Sequence, residues 1–192
     1  MPVKVYLALV HYPVYNKNGQ VISTSVTNLD LHDIARVAAT YGVEKYFVVH
    51  PLKTQQRLVQ EILGYWRHGY GSRYNPSRCQ AFNRLQVVES LEAARQESGV
   101  AGGPGLLTVC TTARSYPESI GYRELRELRE RSGRDLMLLF GTGWGLAQSV
   151  IDESDLVLEP IWGSGEYNHL SVRSAVAIIL DRLLGENWWQ AR

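Results

Sequence analysis

The residues best suited to bind a ligand lie in two glycine-rich loops in the last third of the chain. Gly141, Gly143 and Gly145 follow an apolar run that ends at Phe140, and a second such loop follows the short apolar run 156–158. Glycine has no Cβ, so a loop of this kind can adopt positive φ and bring its backbone groups against a ligand. Both loops follow predicted strands, which places them at the carboxyl edge of an α/β sheet, where ligands bind. The alternative is a strand-to-helix turn that binds nothing, because a GxGxG motif alone is weakly specific.

The position of the first loop disfavours the usual nucleotide sites. A Rossmann fingerprint occupies the first strand-to-helix turn of its unit and is followed by an acidic residue about 20 positions later, whereas this loop comes late in the chain. A phosphate-binding P-loop ends in a lysine, and no lysine follows Gly145. An ordinary nucleotide-binding protein is therefore the weaker interpretation.

Several side chains near these loops could accept a proton, but they form no recognisable catalytic combination. The candidates are Asp30, Asp33, Glu159, Glu166 and His169. Each of them, taken singly, is typical of a helix cap, a surface carboxylate or a structural hydrogen-bonding group. A metal site is not predicted, because the five histidines share no ligand spacing with one another or with the two cysteines.

Two segments around the glycine loops resemble motifs of the SPOUT RNA methyltransferases. Residues 140–146, FGTGWGL, resemble the second motif of that superfamily. Residues 158–161, LEPI, followed by residues 169–178, HLSVRSAVAI, resemble the third. The order and the spacing of these segments also match the superfamily.

An earlier segment and the chain as a whole extend this resemblance. Residues 30–38 are similar to the first motif, in which an asparagine and an arginine flank one helical turn. Arg36 matches that arginine, whereas Asp30 stands where the asparagine is usual. A closer likeness, which includes residues 11–13 and 111–114, covers nearly the whole chain. It is to a stand-alone family of predicted SAM-dependent RNA methyltransferases, related to the catalytic domain of the tRNA (guanine-N1)-methyltransferases.

The resemblance implies a fold, a cofactor and an assembly. The implied fold is an α/β knot, a mostly parallel sheet with helices on both faces and a C-terminal trefoil knot. The implied cofactor is S-adenosylmethionine (SAM), held mainly by backbone groups, and the implied assembly is a homodimer that acts on tRNA or rRNA. The residues expected to contact SAM are Thr111, Thr112, Ala113, Phe140, Gly141, Thr142, Gly143, Trp144, Gly145, Glu159, Pro160, Ile161, Asn168, His169, Leu170 and Ser171.

The predicted catalytic residues are Arg36, which the resemblance implies, and Asp30 and His169, which are candidate bases or charge partners near the site. In the superfamily, an arginine like Arg36 reaches towards the acceptor nucleotide across the dimer interface. The ribose 2′-O-methyltransferase branch usually carries a glutamate where this chain has residues 142–144, and Ser-Leu-Asn where it has residues 167–169. A base nitrogen and a ribose hydroxyl therefore both stay open as the acceptor. A non-catalytic SAM- or RNA-binding module is the alternative function.

The stretch 65–84 has the composition of an RNA-binding surface. It carries arginines at 67, 73, 78 and 84 and five aromatic residues, and it has no acidic residue. Guanidinium groups bind phosphates, and aromatic faces stack on unpaired bases. Arg67, Arg73 and Arg78 are accordingly predicted to bind RNA. The alternative is a loop whose aromatics complete the core or a dimer contact while its arginines stay solvated.

Strands and helices are predicted to alternate along the whole chain, which indicates a parallel sheet covered on both faces. An amphipathic helix should start near Asp30, capped by Asn28 or Asp30 itself. The loop 13–27 is long enough to be functional. The strands are expected at 3–10, 45–50, 85–88, 106–111, 136–140 and 156–158. The other helices are expected at 52–66, 90–97, 122–131, 146–151 and from about 170.

Composition indicates one ordinary globular domain, spanning residues 1–192. Apolar residues make up 45% and charged residues 20% of the chain, which is typical of soluble proteins. The formal charge of +1 means that RNA would have to bind a local basic patch. With two distant cysteines and no apolar run long enough for a signal peptide or a membrane span, the protein is expected in the cytoplasm. Trp188 and Trp189 are expected to pack on the core or on a partner subunit.

Overall fold

A computed structural model describes residues 3–99, 105–165 and 167–186. Six of its strands form one sheet in the order β5-β4-β1-β7-β6-β8, and every pair in it is parallel. The predicted parallel sheet is confirmed. The strands are Val5–Val10 (β1), Val14–Tyr15 (β2), Val21–Ile22 (β3), Lys45–Val49 (β4), Leu85–Val88 (β5), Leu106–Cys110 (β6), Asp135–Gly141 (β7) and Leu156–Val157 (β8).

The central strands are apolar along their whole length because helices cover both faces of the sheet. All six residues of β1 are buried, and β1 pairs with β4 on one side and β7 on the other. The helices lie where alternation predicted them, apart from two short ones within 65–84 that the sequence did not indicate. They are Asn28–Thr40 (α1), Lys53–Arg67 (α2), Tyr70–Tyr74 (α3), Pro76–Phe82 (α4), Leu91–Glu97 (α5), Tyr122–Ser132 (α6), Gln148–Asp152 (α7) and Val172–Leu184 (α8).

Hydroxyl side chains cap the two helices that flank the glycine loops. Thr27 Oγ1 accepts a hydrogen bond from Asp30 N at 3.2 Å at the start of α1. The predicted cap, Asn28 or Asp30, is therefore wrong by one to three residues, since both lie inside the helix. Ser171 caps α8 in the same way through Ser174 N. Each cap satisfies an amide that has no partner within its helix.

The strand order reverses between β1 and β7, and this point positions the site. The chain builds β1, β4 and β5 outward in one direction and returns to place β7 between β1 and β6. A crevice forms outside the carboxyl ends of strands at such a switch point. The short hairpin of β2 and β3 folds over it, and α1 packs against α8 at its side. The trefoil knot stays a prediction, and Glu166, Trp188 and Trp189 lie outside the described residues.

Candidate active site

A cavity of about 830 Å³ opens at the carboxyl ends of β6 and β7. The first glycine loop, Ile161 from the second, the amino end of α1 and the segment before α8 form its walls. Asp30 and most residues predicted to contact a cofactor line it, which brings together segments more than 100 residues apart in sequence. Those predicted cofactor residues are Thr111, Thr112, Ala113, Phe140, Gly141, Thr142, Gly143, Trp144, Gly145, Ile161, Asn168, His169, Leu170 and Ser171.

The glycine loop is held by the hairpin that folds over it. Trp144 N donates to Tyr15 O at 2.9 Å, and Tyr15 N donates to Gly145 O at 2.9 Å. Gly143 has φ +60°, and a Cβ there would lie 2.8 Å from Tyr15 O. Glycine is thus required at 143 because the chain's own backbone approaches it closely. The group that approaches Gly143 is the chain's own strand β2, and the approach of a ligand to the loop stays a prediction.

Two polar contacts close the opposite wall. Asn168 Nδ2 donates to Ala113 O at 3.0 Å, which ties the segment before α8 to the loop after β6. Thr111 donates from both its backbone N and its Oγ1 to Leu139 O, at 3.0 and 2.9 Å. Asn168 and Thr111 therefore use these side-chain groups to hold the wall in place.

A buried carboxylate lies where α1 meets α8. Asp30 accepts a hydrogen bond from Thr27 Oγ1 at 2.6 Å and pairs with Arg173 Nη1 at 3.2 Å. Arg173 also pairs through Nε with Asp33 at 3.3 Å. Only 8% of the Asp30 side chain is exposed, whereas 34% of the Arg173 side chain is exposed, so the carboxylate is the shielded member of the pair. The arrangement contains two carboxylates and one guanidinium, so its formal charge is −1.

Two stacked histidines lie buried behind the glycine loop. His11 and His50 have ring centroids 5.6 Å apart, and both are buried. Thr142 Oγ1 donates to Val10 O at 3.1 Å, so Thr24 Oγ1 must donate to Thr142, at 2.5 Å. A hydroxyl has one proton to give, and Thr24 consequently accepts from His11 Nδ1 at 3.0 Å. This chain of hydrogen bonds fixes the Nδ1–H tautomer of His11 and joins the imidazole to two residues that line the cavity.

Burial determines the charge of these histidines. Desolvation, followed by the neighbouring His50, lowers the pKa of His11 to about 4. Burial also lowers the pKa of His50. Both imidazoles are therefore neutral at pH 7, which fits the hydrogen bond that His50 Nδ1 accepts from Leu52 N at 3.1 Å.

Two predicted cofactor residues are placed elsewhere. The carboxylate of Glu159 accepts a hydrogen bond from Tyr122 N at 3.2 Å, at the start of α6, and Pro160 is buried. Neither is among the described residues that line the cavity. Sequence reasoning missed the lining residues Thr24 and Ser25, which fall within the long loop 13–27, and Arg173, which falls within the third motif. The remaining lining residues without a predicted role are Thr27, Arg114, Tyr167, Val172, Ala175 and Ile179.

The predicted catalytic residues separate in space. Asp30 and His169 both line the cavity; Asp30 is buried, whereas His169 is exposed and its ring contacts that of Tyr167, with centroids 5.5 Å apart. Arg36 is exposed and lines a different cleft of about 230 Å³ on the α1 and α4 surface, together with Arg78. The fold does not bring Arg36 into the cavity of its own subunit.

The three predicted RNA-binding arginines differ in their surroundings. Arg67 is half-buried and donates to the carbonyls of Phe82 and Leu85, which is a structural arrangement. Arg78 lies over the ring of Trp66 at 5.0 Å and approaches His32 Nδ1 at 3.1 Å. Arg73 is exposed on α3. Their contact with RNA stays a prediction, and Arg67 has its guanidinium already occupied within the subunit.

No group of three or more histidine, cysteine, aspartate or glutamate side chains that could hold a metal ion occurs in the described part of the chain. Over the same residues, no helix is long and apolar enough to cross a membrane.

The sequence matches a known family and named relatives. A family profile described as SAM-dependent RNA methyltransferase matches residues 4–185. A protein of Aquifex aeolicus without an assigned function is 41% identical over 95% of this chain and 89% of its own length. A tRNA (guanine-N(1)-)-methyltransferase of Nitratidesulfovibrio vulgaris is 42% identical over 95% of this chain. The chain spans only 42% of that enzyme's length.

Solved structures agree on the fold. A probable methyltransferase from Bordetella pertussis superposes with a TM-score of 0.63 at 17% identity, covering 94% of this chain and 92% of that one. The TrmH/SpoU tRNA modifying enzyme of A. aeolicus gives 0.54 at 16%, covering 95% and 73%. An AdoMet-bound rRNA methyltransferase from Sinorhizobium meliloti gives 0.57 at 16%, covering 95% and 56%. At these identities the likeness shows a shared SPOUT-type fold.

A substitution in the glycine loop should disturb both folding and ligand binding. We expect Gly143→Ala to lower the free energy of unfolding by about 1–3 kcal/mol, because a non-glycine residue at positive φ is strained. It should also weaken SAM binding in calorimetry, since the added Cβ pushes the loop away from Tyr15. Gly163→Ala is the control, because a Cβ there meets nothing within 4 Å. Equal effects of the two substitutions would contradict this account of the loop.

The buried histidine should make stability depend on pH. The folded pKa of His11, about 4, lies below the value of about 6.5 expected in the unfolded chain. As the pH falls from about 6.5 towards 4, the unfolded chain binds a proton that the folded protein excludes. The free energy of unfolding should therefore fall by up to about 1.4 kcal/mol per pH unit. Urea unfolding of His11→Gln should show a shallower fall, while the surface control His68→Gln keeps the wild-type slope. Identical slopes for all three proteins would contradict the prediction.

Proposed function

This chain belongs to the SAM-dependent RNA methyltransferase family, and we propose that it transfers the methyl group of SAM to a base nitrogen of a tRNA nucleotide. The proposal rests mainly on one observation, the cavity that the first glycine loop, the segment before α8 and Asp30 line. The relative named as a tRNA (guanine-N(1)-)-methyltransferase supports tRNA and a ring nitrogen as the acceptor. An rRNA nucleotide and a ribose hydroxyl are the alternatives that the assay below distinguishes. The proposed location is the cytoplasm, where tRNA is found.

The cavity fits SAM in size and lining. Its volume of about 830 Å³ falls in the range of about 300–1,000 Å³ that is usual for small-molecule sites. Phe140, Ile161 and Leu170 supply apolar surface for the purine ring and the methionine carbon chain of SAM. The sulfonium of SAM is a cation, and Asp30 places a carboxylate in the lining, which also contains Arg114 and Arg173. The AdoMet bound to the S. meliloti rRNA methyltransferase, which shares the fold, supports the same cofactor.

SAM supplies an activated methyl group, so the protein has to position the acceptor and remove its proton. We propose that His169 accepts this proton. Its ring is exposed at the rim of the cavity, where an RNA nucleotide would enter. Asp30 is less suited, because the side chain is buried and its oxygens already accept from Arg173 and Thr27. Asp30 would instead place a negative charge near the sulfonium.

Replacing His169 should separate chemistry from cofactor binding. We expect His169→Asn to lower turnover by about 10²- to 10⁴-fold, the usual contribution of a general base, and to change SAM affinity little. Labelled-methyl transfer from SAM to separate tRNA and rRNA fractions, followed by mass spectrometry of the nucleosides, measures the rate and identifies the acceptor. His68→Asn is the matched control and should keep full activity.

The same assay tests the proposed function itself. A methylated base in the tRNA fraction supports the proposed function. Methylation of rRNA or of a ribose would show that the acceptor differs from the proposed one. SAM binding without transfer to any RNA would support the non-catalytic module. Unchanged turnover in His169→Asn would remove that residue from the reaction.

A homodimer is the proposed active form. Four large apolar side chains are exposed at or next to the lining of the cavity, at Leu29, Trp144, Trp162 and Leu170, each between 47% and 60% exposed. Clustered exposed apolar surface marks interaction sites. Since Arg36 lies outside the cavity of its own subunit, we propose that it reaches the nucleotide bound in the partner's cavity.

Mixed dimers should reveal whether Arg36 acts across the interface. We expect Arg36→Ala and His169→Asn to be inactive separately, with SAM affinity nearly unchanged. After co-expression, the mixed dimer contains one cavity with an intact His169 faced by an intact Arg36 from the other chain. Roughly a quarter of the wild-type activity should return at equal expression, because half of the dimers are mixed and each has one complete site.

Two results would contradict this arrangement. If mixing restores no activity, Arg36 and His169 must be supplied by one chain. A mass of one 21.7 kDa chain by light scattering at micromolar concentration would exclude the homodimer in solution.

A further inference from the structure

The arginine- and aromatic-rich stretch 65–84 folds into an inner and an outer part. The inner part is committed to the core: Phe82 is buried and Arg67 holds backbone carbonyls. The outer part is the short helix α3, where Tyr70, Arg73 and Tyr74 are all exposed. Composition could not separate these two groups, because the same residue types occur in both.

Close packing of Gly71 sets the position of α3. A Cβ at Gly71 would lie 2.7 Å from the ring of Trp66 and 2.8 Å from the ring of Tyr65. Only a bare glycine lets α3 approach these rings so closely. Tyr65 and Trp66 in turn meet edge to face, with centroids 5.1 Å apart. The helix therefore packs on a pair of contacting aromatic rings.

The outer surface presents two aromatic rings to solvent. Tyr70 is 67% and Tyr74 is 73% exposed, and their rings are near parallel, with centroids 5.9 Å apart and an interplanar angle of 22°. Tyrosine normally contributes its large apolar face to a core or an interface. These two adjacent, solvent-exposed rings offer a surface on which another flat ring can stack.

The stretch that carries these rings is basic. Residues 65–84 contain four arginines and no aspartate or glutamate. The residue that ends α3, Asn75, also lines the cleft that contains Arg78 and Arg36. Guanidinium groups thus continue from the tyrosines along the surface towards α1. A partner that matches this surface carries negative charges on a chain and flat rings between them.

We propose that Tyr70, Arg73 and Tyr74 bind an unpaired segment of the RNA substrate. The bases stack on the tyrosine rings and a backbone phosphate binds Arg73. This inference rests on the proposed function and extends it by specifying the form of the RNA. Duplex RNA does not fit, because its base faces are hidden within the helix. A second copy of this chain fits poorly, because a twofold contact would oppose this patch with an equally basic one.

The test compares unpaired with paired RNA. Fluorescein-labelled oligouridylate, which forms no duplex, and a blunt-ended RNA duplex are titrated with wild type and with a Tyr70→Ala/Tyr74→Ala double variant. Loss of base stacking should weaken oligouridylate binding between about fivefold and a hundredfold and leave duplex binding unchanged. The control Tyr70→Phe/Tyr74→Phe keeps both rings and should bind like wild type. Arg73→Ala should reduce the salt dependence of binding by about one single-strand phosphate contact, a slope change of about 0.7.

Each outcome bears on the surface separately from the proposed function. Unchanged oligouridylate binding by the alanine pair, equal loss on both RNAs, or no binding by wild type overturns the surface. A change in oligomeric mass of the alanine pair, measured by light scattering, also overturns it in favour of a contact between copies. If the tyrosines bind oligouridylate but wild type methylates no RNA, the surface stands and the methyltransferase proposal fails. If wild type methylates RNA and the alanine pair binds oligouridylate normally, the methyltransferase proposal stands and the surface fails.

Discussion

The site depends on the backbone hydrogen bonds between the β2 strand and the glycine loop after β7. Tyr15 both donates to the loop and accepts from it, so the loop is held as if it were a further strand. That contact is possible only because Gly143 has no side chain where Tyr15 O lies. The short hairpin that contains Tyr15 is thus part of the site although it contributes little to the sheet. A loop fixed in this way can present its backbone to a ligand without being ordered by it, which lowers the entropic cost of binding.

Polar groups beneath and beside the loop fix it further. His11 is linked through Thr24 to Thr142, and burial keeps its imidazole neutral. On the other side, Arg173 joins α8 to α1 through Asp30. These contacts connect the first 30 residues with the last 51. The side chains of His11 and Asp30 are buried, and the hydrogen bonds and the ion pair that they make are therefore less screened than contacts in bulk water. The walls of the cavity therefore depend on the whole fold and not on any one motif.

The different roles proposed for Asp30, His169 and Arg36 follow from where each side chain lies. Asp30 is enclosed and already paired, so it suits electrostatic support, whereas His169 is exposed at the rim and can meet a nucleotide. Arg36 is outside the cavity of its own subunit, and the proposed dimer gives it a role that the single chain does not. The basic surface beyond Arg36 continues to α3, where the tyrosines are exposed.

The sequence by itself determined the parallel sheet, the position of the helices around it and most of the residues that line the cavity. Apolar periodicity and glycine spacing are local signals, and motif resemblance assigned the loops to one site. Only the tertiary structure decided that Glu159 caps α6, that Arg67 holds backbone carbonyls, and that Thr24 and Arg173 belong to the cavity. It also divided the stretch 65–84 into a buried and an exposed part. A side chain's role depends on which distant group it meets, and that is set by long-range packing, which no local pattern of residue types encodes.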